Sequence, residues 1–394
     1  MDLAQQFENG SLEEAIKCID MHTTGEPTRI IYSGFPRLQG TLLEQRDQAR
    51  NQYDHIRKRI MLEPRGHYDM YGAILTQETE LVQEGLAHIG TLFTHNGGFS
   101  TMCGHATIAL GRFLVDTHDL NVFPKRNKLE FKPTTCEVAV NIHAPCGLVR
   151  VTVPTTADGQ KSDPSRPVSF LSTPAFAAGV DLEIEIPKEI RWPELGDREY
   201  IKLDISYGGA YYALVDAREL GFPGLKKIDL EAITNAASKL KTYLAAHPAV
   251  SAALQHPEDI RLSFLYSVMI VDRDAGFRPE GVDGTETGLC FFADDEIDRS
   301  PTGSCVTARM ALAHAKKLRP VGQKWAYNSI VSNHFDMGAF VASIVDDKAS
   351  VGGSKEAVIV RVEGKAYYTG TSTFILEEGD LTSACGFTLK ECAQ

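Results

Sequence analysis

Two stretches, about two hundred residues apart, each place a candidate reactive side chain one residue before a glycine and then run straight into a helix without a polar face. The first is Met102-Cys103-Gly104-His105, continued by Ala106, Ile108, Ala109, Leu110, Phe113 and Leu114. The second is Asp298-Arg299-Ser300-Pro301-Thr302-Gly303-Ser304, continued by Cys305, Val306, Ala308, Met310, Ala311 and Leu312. A helix that is apolar around most of its circumference is surrounded by other structure. The chain must therefore build a shell around each of two internal helices.

The starts of those helices are chemically suggestive. A cysteine at a helix N-terminus sits in the positive end of the helix dipole, which favours the thiolate. The free amides beside it form a site for a carboxylate. Cys103 and the amides of Gly104 and His105 thus offer a base and an anion cradle in one place. The plainer readings stay open at this point: a buried inert thiol for Cys103, and an N-cap for Thr302.

With 394 residues the chain is long enough for two domains with full cores. Its formal charge of -12 argues against nucleic acid or an acidic membrane surface as partner. A zwitterionic substrate would be nearly indifferent to that charge. The stretch at 1–10 carries acidic residues and no apolar run, unlike a signal peptide. No stretch approaches the roughly 18 apolar residues of a membrane span. Eight cysteines (18, 103, 136, 146, 290, 305, 385 and 392) are scattered without a CxxC pair, the pattern of reduced thiols in a cytoplasmic protein. Cys103 and His105 lack a second pair at ligand spacing, so no metal site is expected. There is no P-loop, dinucleotide fingerprint or pyridoxal lysine context, and no cofactor is expected.

Read in order, the chain repeats itself. An alternating strand at 14–33 turns at Thr24-Gly25, a polar amphipathic helix runs from Thr41 to Arg59, and short strands lead to Cys103 and its helix at 104–116. Further strands follow at 128–131, 136–142 and 147–153. After a linker-like stretch from Thr155 to Pro167 the scheme restarts: a strand at Ile201–Ile205 opens onto Tyr207-Gly208-Gly209, and a helix spans Asp229–Ala246. Strands at 260–271 and 288–292 then lead to Thr302. A duplicated half-domain is the better reading of this agreement in order. The expected division is 1–165 for the first half and 166–365 for the second, with the site in the cleft between them.

Asp20-Met21-His22-Thr23-Thr24-Gly25-Glu26-Pro27, Glu63-Pro64-Arg65-Gly66-His67, Met102-Cys103-Gly104-His105, Tyr207-Gly208-Gly209 and Asp298-Arg299-Ser300-Pro301 strongly resemble the proline racemase family. The likeness continues to Gly386-Phe387. It implies an α/β (α+β) fold of the diaminopimelate-epimerase-like kind, two pseudo-symmetric halves that each wrap a curved sheet around a central helix. It also implies that the segment at about 366–394 returns to the first half.

Racemases of this family resemble two-thiol machines, one cysteine taking the Cα proton from one face and the other supplying a proton to the opposite face. Here the first thiol is Cys103 and the second position is Thr302. A threonine hydroxyl without an adjacent base cannot share that duty. The Cys/Thr pattern resembles the branch that removes water from trans-3-hydroxy-L-proline to give Δ1-pyrroline-2-carboxylate. By the same resemblance the amides of Gly104, His105, Gly303 and Ser304 cradle the substrate carboxylate, and His105 and Asp298 contact the ring nitrogen. Ser100 and Phe292 are weaker candidates for the pocket wall; His22, Glu63 and His67 read as structural. The partner is thus a small imino acid, and a homodimer is an expectation from the fold alone. Two other functions compete: proline racemase or hydroxyproline 2-epimerase, and a two-lobed imino-acid-binding protein without chemistry.

Overall fold

A computed structural model describes residues 15–337, 340–353 and 355–393; the acidic stretch at 1–10 lies outside the described residues. The chain forms two compact units. One comprises 1–101, 105–168 and 365–394, the other 102–104 and 169–364. The segment carrying Cys103 and Gly104 thus groups with the second unit, together with Asp298, Thr302 and Gly303.

In the first unit, β1 (Ile16–Thr23) and β2 (Glu26–Ser33) form an antiparallel hairpin. It turns at Thr24 and Gly25, whose φ angles are 55° and 85°. Next come α1 (Leu42–Gln52), capped by Thr41 and Glu44 in a reciprocal box, and α2 (Asp54–Met61). One helix was expected across this stretch. The break falls at Tyr53, which leaves helical geometry at φ -123° and packs edge-on against Phe35. The new direction lets Arg57 of α2 donate to the carbonyls of His95 and Asn96 at 2.7 and 2.5 Å.

The first unit continues with β3 (Gly72–Thr76), β4 (Ile89–His95), β5 (Gly98–Ser100), α3 (Gly104–Asp116, from His105 onward in this unit), β6 (Glu130–Lys132), β7 (Glu137–Ala144) and β8 (Gly147–Pro154). Along β1-β2-β3-β4-β7-β8 the pairings alternate: antiparallel, parallel, antiparallel, parallel, antiparallel. Ile108, Ala109, Leu110, Leu114 and Val115 of α3 are completely buried. Gly111 lies so close to β8 that a Cβ would meet Val151 at 2.7 Å.

The second unit opens with β9 (Val168–Leu171) and continues with β10 (Phe176–Glu185), β11 (Tyr200–Tyr207), β12 (Tyr211–Asp216), α4 (Leu230–Ala245), β13 (Leu265–Asp272), β14 (Gly284–Phe292) and β15 (Glu296–Ile297). Then follow α5 (Gly303–Ala315), β16 (Trp325–Asn328), β17 (Phe340–Val351) and β18 (Lys355–Gly364). Along β11-β12-β13-β14-β16-β17 the same alternation recurs in the same order (β16 to β17 closing it antiparallel). Short β15 flanks β14 as β5 flanks β4. The last strand, β19 (Ala366–Phe374), pairs antiparallel with β1, the place that β10 takes on β11. The two halves therefore share one topology around one buried helix each.

α5 is buried from Gly303 to Ala313 and packs against β10, β11, β12, β17 and β18. Ser206 fastens it, donating to the carbonyl of Ala308. Gly208 explains the Tyr207-Gly208-Gly209 motif, since a Cβ there would meet the Ser304 carbonyl at 2.2 Å. Arg309 of α5 and Arg319 both bind the buried Glu286 at 2.8 Å. Burial alone would raise the Glu286 carboxyl, but the two guanidinium groups hold it below the usual range.

Candidate active site

The glycines are where the two predicted segments meet. A Cβ built on Gly104 would lie 2.5 Å from the Cα of Gly303, and one on Gly303 would lie 2.8 Å from the Cα of Gly104. No side chain fits at either position, which is why each reactive residue is followed by glycine. Cys103 and Thr302 directly precede these touching residues and reach them from different helices. Both are buried, at 4% and 6% exposure.

At the start of α5, the first intrahelical bond runs from the Val306 N–H to the Thr302 carbonyl at 2.8 Å. The amides of the first turn, Gly303 and Ser304 among them, precede that bond and point out of the helix end. Thr302 occupies the N-cap position, yet it does not cap the helix with its side chain. Its backbone is left-handed, with φ 60°, a conformation that a β-branched residue rarely adopts and that costs about 1–3 kcal/mol. Instead, its hydroxyl donates to Asp298 Oδ2 at 2.6 Å. Its N–H donates to Ser300 Oγ at 3.1 Å, and the Ser300 N–H donates to Asp298 Oδ1 at 2.7 Å. The loop from Asp298 to Thr302 is thus cross-braced by its own polar groups, with Asp298 only 4% exposed.

Ser304 is held from across the sheet. Its hydroxyl shares a 2.6 Å hydrogen bond with the phenol of Tyr212 on β12. Burial drives the Tyr212 phenol far above its ordinary range, so it stays neutral. Tyr266 packs edge-on against Tyr212 and stacks on Phe292, which lines up three rings across β12, β13 and β14. In the first unit, the residue after Gly104 has an equivalent support. The ring of Tyr71 stands edge-on to His105 at 4.7 Å, and its hydroxyl bonds Ser100 Oγ at 3.0 Å. Thr23 on β1 donates to the His105 carbonyl at 3.0 Å.

The other buried thiols are chemically quiet. Burial pushes Cys18 and Cys290 up to about 12, and Cys305 higher still. Cys290 lies beneath Thr302 and bonds the Ser267 hydroxyl at 2.9 Å. His22 accepts the Gly25 N–H and stacks on Tyr367, while Glu63 exchanges backbone bonds with Phe387. Those two motif residues brace the fold. Among the described residues no group of three or more His, Cys, Asp or Glu is placed to hold a metal ion, and no helix is long and apolar enough to cross a membrane. A cavity of ≈ 360 Å³ at the opposite end of α5 is lined in part by Asp204, Glu286, Arg309, Lys316 and Arg319. Their charges satisfy one another, and the cavity includes none of the site residues above.

The model of the proline racemase family matches residues 18–388. The chain belongs to the proline racemase family. It is 40% identical over 368 residues to the trans-3-hydroxy-L-proline dehydratase of Homo sapiens, a match covering 93% of this chain and 92% of the relative. It is 34% identical to the protein of the same name from Colwellia psychrerythraea, covering 93% and 90%. Among solved structures, a probable proline racemase from Agrobacterium radiobacter K84 with bound carbonate superposes with a TM-score of 0.76 at 26% identity, covering 95% of this chain and 97% of that one.

Tyr71, Tyr212 and Ser300 were not singled out from the sequence. The tyrosines sit in apolar strand-forming runs and read as core. Only the fold brings Tyr212 to Ser304, across 92 residues of chain.

Proposed function

We propose that this protein is a trans-3-hydroxy-L-proline dehydratase, a hydro-lyase that uses side chains alone and in which Cys103 is the only base at Cα. The observation that carries the reading is the state of Thr302. In a racemase of this family that position needs a group that can give and take a proton near neutral pH. Here it holds a hydroxyl whose proton is already donated to a buried carboxylate at 2.6 Å. Removing that proton would set an alkoxide against Asp298, so the position cannot act as a second base. Relatives named for this dehydration at 40% and 34% identity support the same reading.

The chemistry follows from the groups present. The substrate carboxylate lies on the first-turn amides of the two helices, which take up the charge that develops as the α-proton leaves. Asp298 pairs with the ring ammonium, and Thr302 keeps that carboxylate aimed. The Cys103 thiolate, favoured by the helix N-terminus, removes the α-proton. With a hydroxyl on the next carbon, the resulting carbanion expels it and forms the enamine, which tautomerises to Δ1-pyrroline-2-carboxylate. All eight cysteines are free thiols, which agrees with a cytoplasmic enzyme.

The test is to incubate the protein with trans-3-hydroxy-L-proline and trap the cyclic imine with o-aminobenzaldehyde. Imine is expected from the native enzyme and not from Cys103→Ser. A protein that binds the substrate without forming imine would be a binding protein, and the reading would be wrong.

A further inference from the structure

Resting on that reading, we infer that Cys103 performs both proton transfers, taking the α-proton and returning it to the departing hydroxyl, and that the enzyme is therefore selective for the trans isomer of 3-hydroxy-L-proline. Two lines lead there. The Thr302 side of the site supplies no proton: the Thr302 hydroxyl is committed to Asp298, and Ser300 and Asp298 fix it there through a left-handed backbone. Cys290, beneath it, is wholly buried and bonded to Ser267. Cys103 and Thr302 flank the touching Gly104 and Gly303, so a ligand seated on those glycines meets the thiol from one side and the hydroxyl from the other.

The second line is the stereochemistry of the substrate. In the trans isomer the carboxylate and the 3-hydroxyl lie on opposite faces of the ring, so the α-hydrogen and the hydroxyl share a face. A thiolate placed to take that hydrogen is also beside the leaving oxygen. The balance is complete without another acid. The Cα–H bond breaks and its proton goes to Cys103. Its electron pair becomes the second bond between Cα and C3. The C3–O bond breaks with its pair on oxygen, and the thiol proton passes to that oxygen as water forms. Cys103 is a thiolate again at the end of the cycle. In the cis isomer the hydroxyl leaves on the Thr302 side, where nothing gives it a proton.

The experiment uses the native enzyme with four compounds, the trans and cis isomers of 3-hydroxy- and 3-chloro-L-proline. Chloride departs without a proton. Imine formation from the hydroxy pair should favour trans by at least about 100-fold, the usual contribution of a general acid, and the preference should fall to within about tenfold for the chloro pair. Equal rates on the two hydroxy isomers would overturn the inference. So would a trans preference equally large with chloride, which would trace the selectivity to fit. In Thr302→Val the ratio of trans-hydroxy to trans-chloro rates should match the native ratio; a selective loss of the hydroxy reaction would make Thr302 the acid and overturn it. Absence of imine from all four compounds would instead remove the parent reading.

Discussion

A threonine hydroxyl bound to a carboxylate and a cysteine at a helix start are unequal partners, and the residue-scale predictions follow from that inequality. Cys103→Ser should lower imine formation by about 10²–10⁴-fold, the range for loss of a general base, while pyrrole-2-carboxylate still binds; calorimetry and the imine assay together check this. Thr302→Cys should restore a second exchangeable proton, and L-proline, inert to rotation change in the native protein, should then slowly lose optical activity under polarimetry. Thr302→Val should chiefly raise KM, because Asp298 loses the bond that aims it, and Thr302→Ser should bring KM back. Cys103 and Thr302 were legible in the sequence because each sits in a dipeptide with a glycine ahead of an apolar helix. The bond between Thr302 and Asp298 was not. It depends on a positive φ at a β-branched residue, which no local propensity foretells.

At the scale of elements, the two helix starts are locked together by a backbone contact, so Gly104→Ala and Gly303→Ala should each cost about 1–3 kcal/mol as overpacking and depress activity further by displacing Cys103 or Thr302. Urea midpoints and imine assays on both variants measure the two effects. The Glu286 pair with Arg309 and Arg319 makes a pH prediction. Its folded-state carboxyl is held below the unfolded value, so its contribution is full above that value and is lost as pH falls through the folded one. Stability should drop from about pH 4.5 downward, and Glu286→Gln should remove that part of the pH dependence while lowering stability at pH 7 by about 3–5 kcal/mol, the usual cost of breaking a buried pair. The buried helices were readable from composition alone, and 104–116 was placed to the residue. β10, β12 and the β17–β18 hairpin were not read. β17 leaves the core halfway, exposing Val345 to Lys348 in a run of charges that hides its period. The helix expected at 41–59 was broken by packing at Tyr53, and the strand expected from 260 begins at Leu265, because Asp259 caps a short 3₁₀ turn by accepting the Arg261 N–H at 2.8 Å.

For the whole molecule, duplication is the organising fact. Two halves with one alternation of parallel and antiparallel pairings need not keep the same chemistry in both, and here the second half has kept the glycine and the helix while exchanging a thiol for a hydroxyl. The net charge of -12 exerts little pull on a zwitterion. Accordingly kcat/KM for the hydroxyproline should change by less than about threefold between low and physiological salt, which steady-state assays over a salt series would check. The most direct test of one-sided chemistry is polarimetry of L-proline and trans-4-hydroxy-L-proline incubated with the native protein, run beside the imine assay on trans-3-hydroxy-L-proline. Constant rotation in the first two with imine from the third is the result expected of a single base at Cys103. Decaying rotation without imine would mean that a proton arrives from the Thr302 side, and would contradict the account.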